Sequence, residues 1–239
     1  MKLFQYPLFR NYKTDFWISE LVAGTFLALY SIALIVILAL ILINTSILHK
    51  TERSLALARE EKRLEAQNLA SLRGRAQIYE GIRQMKKSSL TPRVVKKLVD
   101  IVAENSERFG YDPLLLLAVI NVESRFEKEA MGQKQSGEYS GAMGLMQLKF
   151  ETALEMAEKL KIPLASEEDL FKPEINIPLG IYYLTRMVVQ FEGLPLGIMA
   201  YNQGPATVRK GLKGEVPLSR KYYHLIMQSY FKLKDASHV

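Results

Sequence analysis

Cysteine is absent from this 239-residue chain. That excludes structural disulfides, thiolate zinc sites, a cysteine nucleophile and a lipid-bearing cysteine, and leaves the redox compartment open. Any membrane anchor must be the polypeptide itself. Histidine is almost as scarce, and His49, His224 and His238 are scattered without ligand-like spacing, so neither a metal nor a cofactor is implied. No alternation of apolar and polar residues marks a strand or hairpin, and no internal repeat is visible. Charge is missing altogether from residues 21–43, a run of 23 positions.

At about 1.5 Å per residue, a helix of that length reaches roughly 35 Å, enough to cross a hydrocarbon core of about 30 Å. The sequence therefore predicts one transmembrane helix, over residues 21–48. The alternatives are a cleaved signal peptide, which usually has a shorter apolar region ending in small residues, and a buried core helix, which is rarely so long and uniform. Residues 1–20 mix aromatics such as Phe9, Phe16 and Trp17 with Lys2, Arg10 and Lys13, as an interfacial belt does.

The net charge of +7 is unevenly placed. Residues 1–109 carry 17 Lys+Arg against 10 Asp+Glu, a balance of +7, while residues 110–239 carry 15 of each, a balance of zero. The basic excess belongs to the membrane-proximal half, where an anionic lipid surface is the simplest counterpart. Nucleic acid as a partner loses its main support, since no binding motif accompanies the charge. Lys50, Arg53, Arg59, Lys62 and Arg63 after the span outnumber Lys2, Arg10 and Lys13 before it, so the positive-inside count alone favours a cytoplasmic C-terminal part.

The length allows one membrane segment and one domain of ordinary size. The expected organisation is an N-terminal stretch 1–20, a transmembrane helix 21–48, a helical stalk or linker 49–90 and a helical domain 91–239. In the stalk Leu57, Leu64, Ile78 and Met85 share a heptad position, interrupted by Ser71 and without a second stripe. A dimerising stalk, a solvated helix and a helix resting on its own domain all remain open. Thr91-Pro92 then signals a helix start, as does Asp112-Pro113. Residues 114–123 are apolar nearly all round, hence buried. Further helices are expected over 152–160, 178–191, 196–201 and 220–233, with 132–141 as a long loop. The fold class is mainly α.

Three clusters carry chemistry. Glu123 follows Leu116, Val119 and Ile120 on one helix face. An aliphatic surround disfavours the charged carboxylate and raises its pKa, which suits a general acid. The other reading is a helix-terminal glutamate paired with Arg125 or Lys128. Residues 141–148, Gly-Ala-Met-Gly-Leu-Met-Gln-Leu, combine glycines that permit close approach of a polymer with the amide of Gln147; a packing loop is the alternative. Residues 200–205, Ala-Tyr-Asn-Gln-Gly-Pro, bring a phenol and two amides to a turn, a combination that fits a glycan.

Together with the order of residues 123–126 (Glu-Ser-Arg-Phe), residues 176–180 (Asn-Ile-Pro-Leu-Gly), Tyr183-Leu184 and residues 220–222 (Arg-Lys-Tyr), these clusters resemble the soluble-type lytic transglycosylases, over roughly residues 110–231. The resemblance implies a lysozyme-like catalytic domain. It also implies cleavage of the β-1,4 bond between N-acetylmuramic acid and N-acetylglucosamine in peptidoglycan glycan strands, without water, leaving a 1,6-anhydromuramyl end. In that scheme Glu123 protonates the glycosidic oxygen and then, as carboxylate, takes the proton of the muramyl C6 hydroxyl. Ser124, Tyr201 and Tyr222 would orient or hydrogen-bond near Glu123, and Met146, Gln147 and Asn202 would contact sugar. The resemblance places the protein in the bacterial inner membrane as a single-pass protein with its catalytic domain in the periplasm, against the charge count.

Three features depart from the family pattern. The segment 131–140 is several residues longer than usual. Phe150 stands where a proline is usual, and Leu218-Ser219 replaces the usual Glu-Thr before the Arg-x-Tyr sequence. A lysozyme-type hydrolase and an inactive peptidoglycan-binding scaffold of an envelope machine are the alternatives. A hydrolase needs a positioned water and usually a second carboxylate, whereas a scaffold would tolerate loss of Glu123. Self-association would run through the stalk.

Overall fold

The computed structural model describes residues 12–85, 90–134 and 136–236. The chain divides into two compact units, Met1–Gln67 and Asn68–Val239. The mainly α expectation holds. Eight helices, one 3-10 turn and one small sheet make up the described residues.

Helix α1 (Tyr12–Met85) supplies the described part of the first unit and runs on into the second. From Glu20 onward it contains a stretch of mean hydropathy 3.1, none of it buried within the protein, long and apolar enough to cross a membrane. Its hydroxyls bond back to its own carbonyls: Thr25 to Val22 at 2.8 Å, Ser31 to Leu27 at 2.8 Å and Thr45 to Leu42 at 3.0 Å. An unpaired hydroxyl is costly in hydrocarbon, so this pairing suits a bilayer. The aromatic and basic belt expected over residues 1–20 lies outside the residues whose side chains are described.

In the second unit, α2 (Pro92–Phe109) and α3 (Pro113–Ser124) begin where the sequence marks them. The Thr91 hydroxyl accepts from the Val94 N–H at 3.5 Å, and the Asp112 carboxylate accepts from the Leu114 N–H at 2.9 Å. Gly110, at φ 72°, ends α2 in the left-handed conformation. Every residue of α3 from Leu114 to Ile120 is buried, as its all-round apolarity requires. Helices α4 (Phe150–Leu160), α5 (Pro173–Gln190), α6 (Leu194–Gln203), α7 (Pro205–Leu212) and α8 (Lys221–Ala236) complete the set. Helix α3 packs against α2 and α8, while α5 packs against α2, α4 and α6.

The second compact unit starts at Asn68 and so includes the last turns of α1. Ile78 and Ile82, on the last turns of α1, are each only 1% exposed and belong to the core. Gly81 makes the close packing possible, since a Cβ there would lie 2.8 Å from the Leu117 side chain and 3.5 Å from that of Leu233. The heptad stripe is thus divided. Ile78 and Met85 pack on the protein's own domain, and Leu57 and Leu64 are exposed.

The expected loop 132–141 is corrected. A three-stranded antiparallel sheet is formed by β1 (Met131–Gln133), β2 (Tyr139–Met143) and β3 (Leu148–Lys149). Its pairings include Met131 with Met143, Gln133 with Tyr139, and Met143 with Leu148. Strands this short, rich in Gly, Gln and Ser, carry no legible alternation, and an irregularity between Met131 and Gln133 disturbs the register further. Helix α5 begins at Pro173, five residues before the expected start, and accommodates Pro178 inside it. The 3-10 turn Glu167–Phe171 and helix α7 had no counterpart in the sequence reading.

One buried side chain joins sheet to helices. Asn176, on α5, is 0% exposed; its amide donates to the Met143 carbonyl at 3.0 Å and accepts from the Met146 N–H at 2.7 Å. Gly144, at φ 75°, sits so close to this clamp that a Cβ would lie 2.2 Å from the Leu170 carbonyl oxygen. The glycine there is a packing requirement.

Candidate functional site

Glu123 is the penultimate residue of α3. Arg125 ends the helix at φ 52° and Phe126 follows at φ 61°, two successive non-glycine residues in the left-handed region. Backbone strain of this kind persists only where the surroundings fix it, and here Phe126 is driven into the core at 2% exposure. The chain thereby turns away at once and leaves Glu123 half-buried at an opening.

The carboxyl of Glu123 accepts a hydrogen bond from the Tyr222 hydroxyl at its Oε1. Tyr222 stands in the first turn of α8. Burial pushes the Glu123 carboxyl from its ordinary 4.5 up to about 7, against the lowering effect of the Tyr222 bond. Among the described residues no cation pairs with Glu123, and Lys128 instead contacts Glu129 at 3.2 Å. The apolar-seat reading therefore holds over the surface-pair reading. Burial and the nearby Glu123 also raise the phenol of Tyr222 well above its usual value, which keeps it a hydrogen-bond donor.

Two cavities meet at this carboxyl. One, of about 530 Å³, extends toward Lys149, Tyr183, Tyr201 and Asn202. The other, of about 880 Å³, extends toward Ser124, Glu127 and Glu129. Glu123, Gly132, Gln133 and Gln147 line both. Glu123 thus sits part-way along a groove, with open space on either side of its carboxyl. The β1–β2 hairpin forms one wall through Gly132, Gln133 and Ser140.

The other expected site residues are placed as follows. Asn202 is exposed and lines the smaller cavity. Tyr201 lines it too, but its hydroxyl donates to the Met146 carbonyl at 2.6 Å rather than to Glu123. Burial foremost, with Glu123 and Tyr183 near it, raises its phenol well above the usual range. The Gln147 amide lines the groove, yet its Nε2 donates to the carbonyls of Ala130 at 3.0 Å and Gly144 at 2.8 Å, so this end holds the hairpin. Ser124 lines the larger cavity, and its hydroxyl donates to Ile120 within its own helix at 3.0 Å.

Met146 requires a correction. Its side chain is 0% exposed and lies against Gly180, where a Cβ would be 2.5 Å away, so it packs in the core instead of meeting sugar. Its peptide is the part that matters here, gripped by Asn176 on one side and Tyr201 on the other. Sequence reasoning assigned no role to Tyr183, Thr152 or Lys149, all of which line the smaller cavity. Tyr183 was visible as part of a motif, and its ring lies 5.2 Å from that of Tyr201. Lys149 carried no signal beyond following Gln147-Leu148.

Residues 100–223 match the transglycosylase SLT domain family. The chain belongs to that family. Among curated relatives, the membrane-bound lytic murein transglycosylase C of Edwardsiella ictaluri is 39% identical over 90 residues, covering 37% of this chain and 23% of that protein. Its counterpart in Mannheimia succiniciproducens is 36% identical over 91 residues, covering 37% and 24%. This SLT-family chain thus spans about a quarter of the length of the relatives it matches. Similar solved structures include an inactive mutant of lytic transglycosylase Slt from Pseudomonas aeruginosa, 31% identical, with a TM-score of 0.43 and coverage of 56% of this chain and 22% of that one. The 70 kDa soluble lytic transglycosylase of Escherichia coli is 25% identical, with a TM-score of 0.49 and coverage of 57% and 24%.

Proposed function

We propose that this SLT-family protein is a membrane-anchored lytic transglycosylase that cleaves the β-1,4 bond between N-acetylmuramic acid and N-acetylglucosamine in peptidoglycan. The observation that carries the reading is a single half-buried carboxyl, Glu123, raised to about 7 at the meeting point of two cavities. Near neutral pH such a group is available both as acid and as base.

The protonated Glu123 gives its proton to the glycosidic oxygen as the bond from that oxygen to muramyl C1 breaks, releasing the N-acetylglucosamine O4 as a hydroxyl. The positive charge that develops at C1 faces the new carboxylate. The muramyl C6 hydroxyl then bonds to C1, its proton returns to Glu123, and the 1,6-anhydro ring closes with no water consumed. Tyr222 holds the carboxyl in position throughout and steadies its charged form. Two-carboxylate hydrolysis needs a second acid in register; among the described residues the other carboxylates lining the groove are Glu127 and Glu129, both exposed and in the larger cavity only.

The anchor is the apolar part of α1, spanning the bacterial inner membrane with the catalytic domain in the periplasm, where peptidoglycan lies. A periplasm-dependent reporter joined after Val239 is expected to be active, and a silent reporter would overturn that topology. Mass spectrometry of peptidoglycan digested by the wild-type protein and by Glu123→Gln tests the chemistry. Anhydromuramyl ends that vanish in the variant are expected. Reducing ends would indicate a hydrolase, and strand binding without products a scaffold.

A further inference from the structure

The charge in the groove is distributed asymmetrically about Glu123. Among the described residues, Lys149 is the one cation lining the smaller cavity, and Glu123 is its one carboxylate. Lys149 belongs to β3, where Leu148 turns into the core and Lys149 faces out, paired across the sheet with Ala142, which also lines the cavity. It makes no ion pair among the described residues. Two other lysines of this unit do: Lys134 on the hairpin contacts Glu138 at 3.4 Å and Lys172 contacts Asp169 at 2.7 Å. Glu151, two residues on, does not line the cavity. The larger cavity instead combines Arg125 with Glu127 and Glu129.

An exposed lysine that lines a polar, anion-poor cleft and makes no ion pair among the described residues is poised for an anionic substituent of the ligand. We infer that Lys149 is a specificity-determining residue that binds a carboxylate carried by the muramyl residue in the smaller cavity. This rests on the peptidoglycan reading above. Two sources share that chemistry: the free lactyl carboxylate of a strand without peptides, and a carboxylate of an attached stem peptide. Neutral N-acetylglucosamine oligomers carry neither. The exposed amide of Asn202 in the same cavity offers hydrogen bonds to sugar without regard to charge, so Lys149 separates charged from neutral glycans.

The test is binding by the full chain carrying Glu123→Gln, with and without Lys149→Met, measured on peptide-free glycan strands, peptide-bearing strands and N-acetylglucosamine oligomers. Lys149→Met is expected to weaken binding about fivefold at low salt for an anionic strand, an effect that shrinks as salt rises, and to leave the neutral oligomer unchanged. Loss on peptide-free strands identifies the lactyl carboxylate, and loss only on peptide-bearing strands identifies the stem peptide. Lys149→Arg is expected to restore the affinity. Equal loss on all three ligands, or no loss on either anionic strand, would overturn the inference. If the wild type still yields anhydromuramyl products, only the role of Lys149 falls; if no glycan binds at all, the peptidoglycan reading falls with it.

Discussion

The Tyr222 hydroxyl donates its hydrogen bond to Oε1 of Glu123, joining the first turn of α8 to the last turn of α3 across 99 residues of sequence. It works against burial: desolvation raises the carboxyl and this bond lowers it. Tyr222→Phe removes only the hydroxyl. The carboxyl pKa is then expected to rise further, moving the alkaline limb of the activity profile up by about one unit, as loss of a hydrogen bond to a charged group implies. The maximal rate is expected to fall, because the carboxylate formed in the proposed first step loses its donor. A pH–rate profile superimposable on the wild type would show that the bond plays no part.

The raised carboxyl also ties stability to pH. Folded Glu123 holds its proton up to about 7, against 4.5 as its ordinary value. Its contribution is therefore fully present below 4.5 and is lost as pH rises through 7, at a cost of up to about 3 kcal/mol for 2.5 units. Glu123→Gln keeps an acceptor for Tyr222 and does not ionise. Thermal unfolding should show the two proteins equally stable near pH 4 and the variant more stable near pH 8. Parallel curves across that range would contradict the raised pKa.

Asn176 is expected to be the costliest polar residue near the groove to remove. Asn176→Ala leaves the buried Met146 N–H and Met143 carbonyl without their partner, a loss of about 2 to 3 kcal/mol. Denaturant unfolding measures that directly. Activity is expected to fall as well, because Met146 precedes Gln147, and Gln147 holds the hairpin wall through Ala130 and Gly144. An unfolding midpoint within error of the wild type would remove the clamp from this account.

What could be read from the sequence was mostly local. Thr91, Gly110 and Asp112 act on backbone groups within a few residues, so the limits of α2 and α3 were legible. Glu123 was legible because its apolar neighbours lie on its own helix. The hairpin was not, since it depends on Gln147 reaching back to Ala130, a contact that no alternation announces. Motif order likewise located Met146, Ser124 and Tyr201 but not their directions. The Met146 side chain turns into the core, the Ser124 hydroxyl turns onto its own helix, and the Tyr201 hydroxyl meets a backbone carbonyl. The outcomes for Met146 and Tyr201 are set by α5 and α6, which lie far along the chain.

The end of α1 offers the same lesson as a measurement. Leu57 and Ile82 are both aliphatic residues on one continuous helix, yet Leu57 is 67% exposed and Ile82 is 1% exposed. The difference arises because Gly81 lets the helix approach Leu117 and Leu233 closely. Truncating Ile82 to alanine removes buried methylenes and leaves a void, at about 3 kcal/mol. Leu57→Ala is expected to change stability by less than about 0.5 kcal/mol, as surface substitutions do. Gly81→Val should be at least as damaging as Ile82→Ala, since its added side chain would enter the space held by Leu117. Unfolding of the three variants separates a helix that is part of the second unit's core from one that merely precedes it. If Ile82→Ala and Leu57→Ala were equally harmless, the domain would begin at α2 after all.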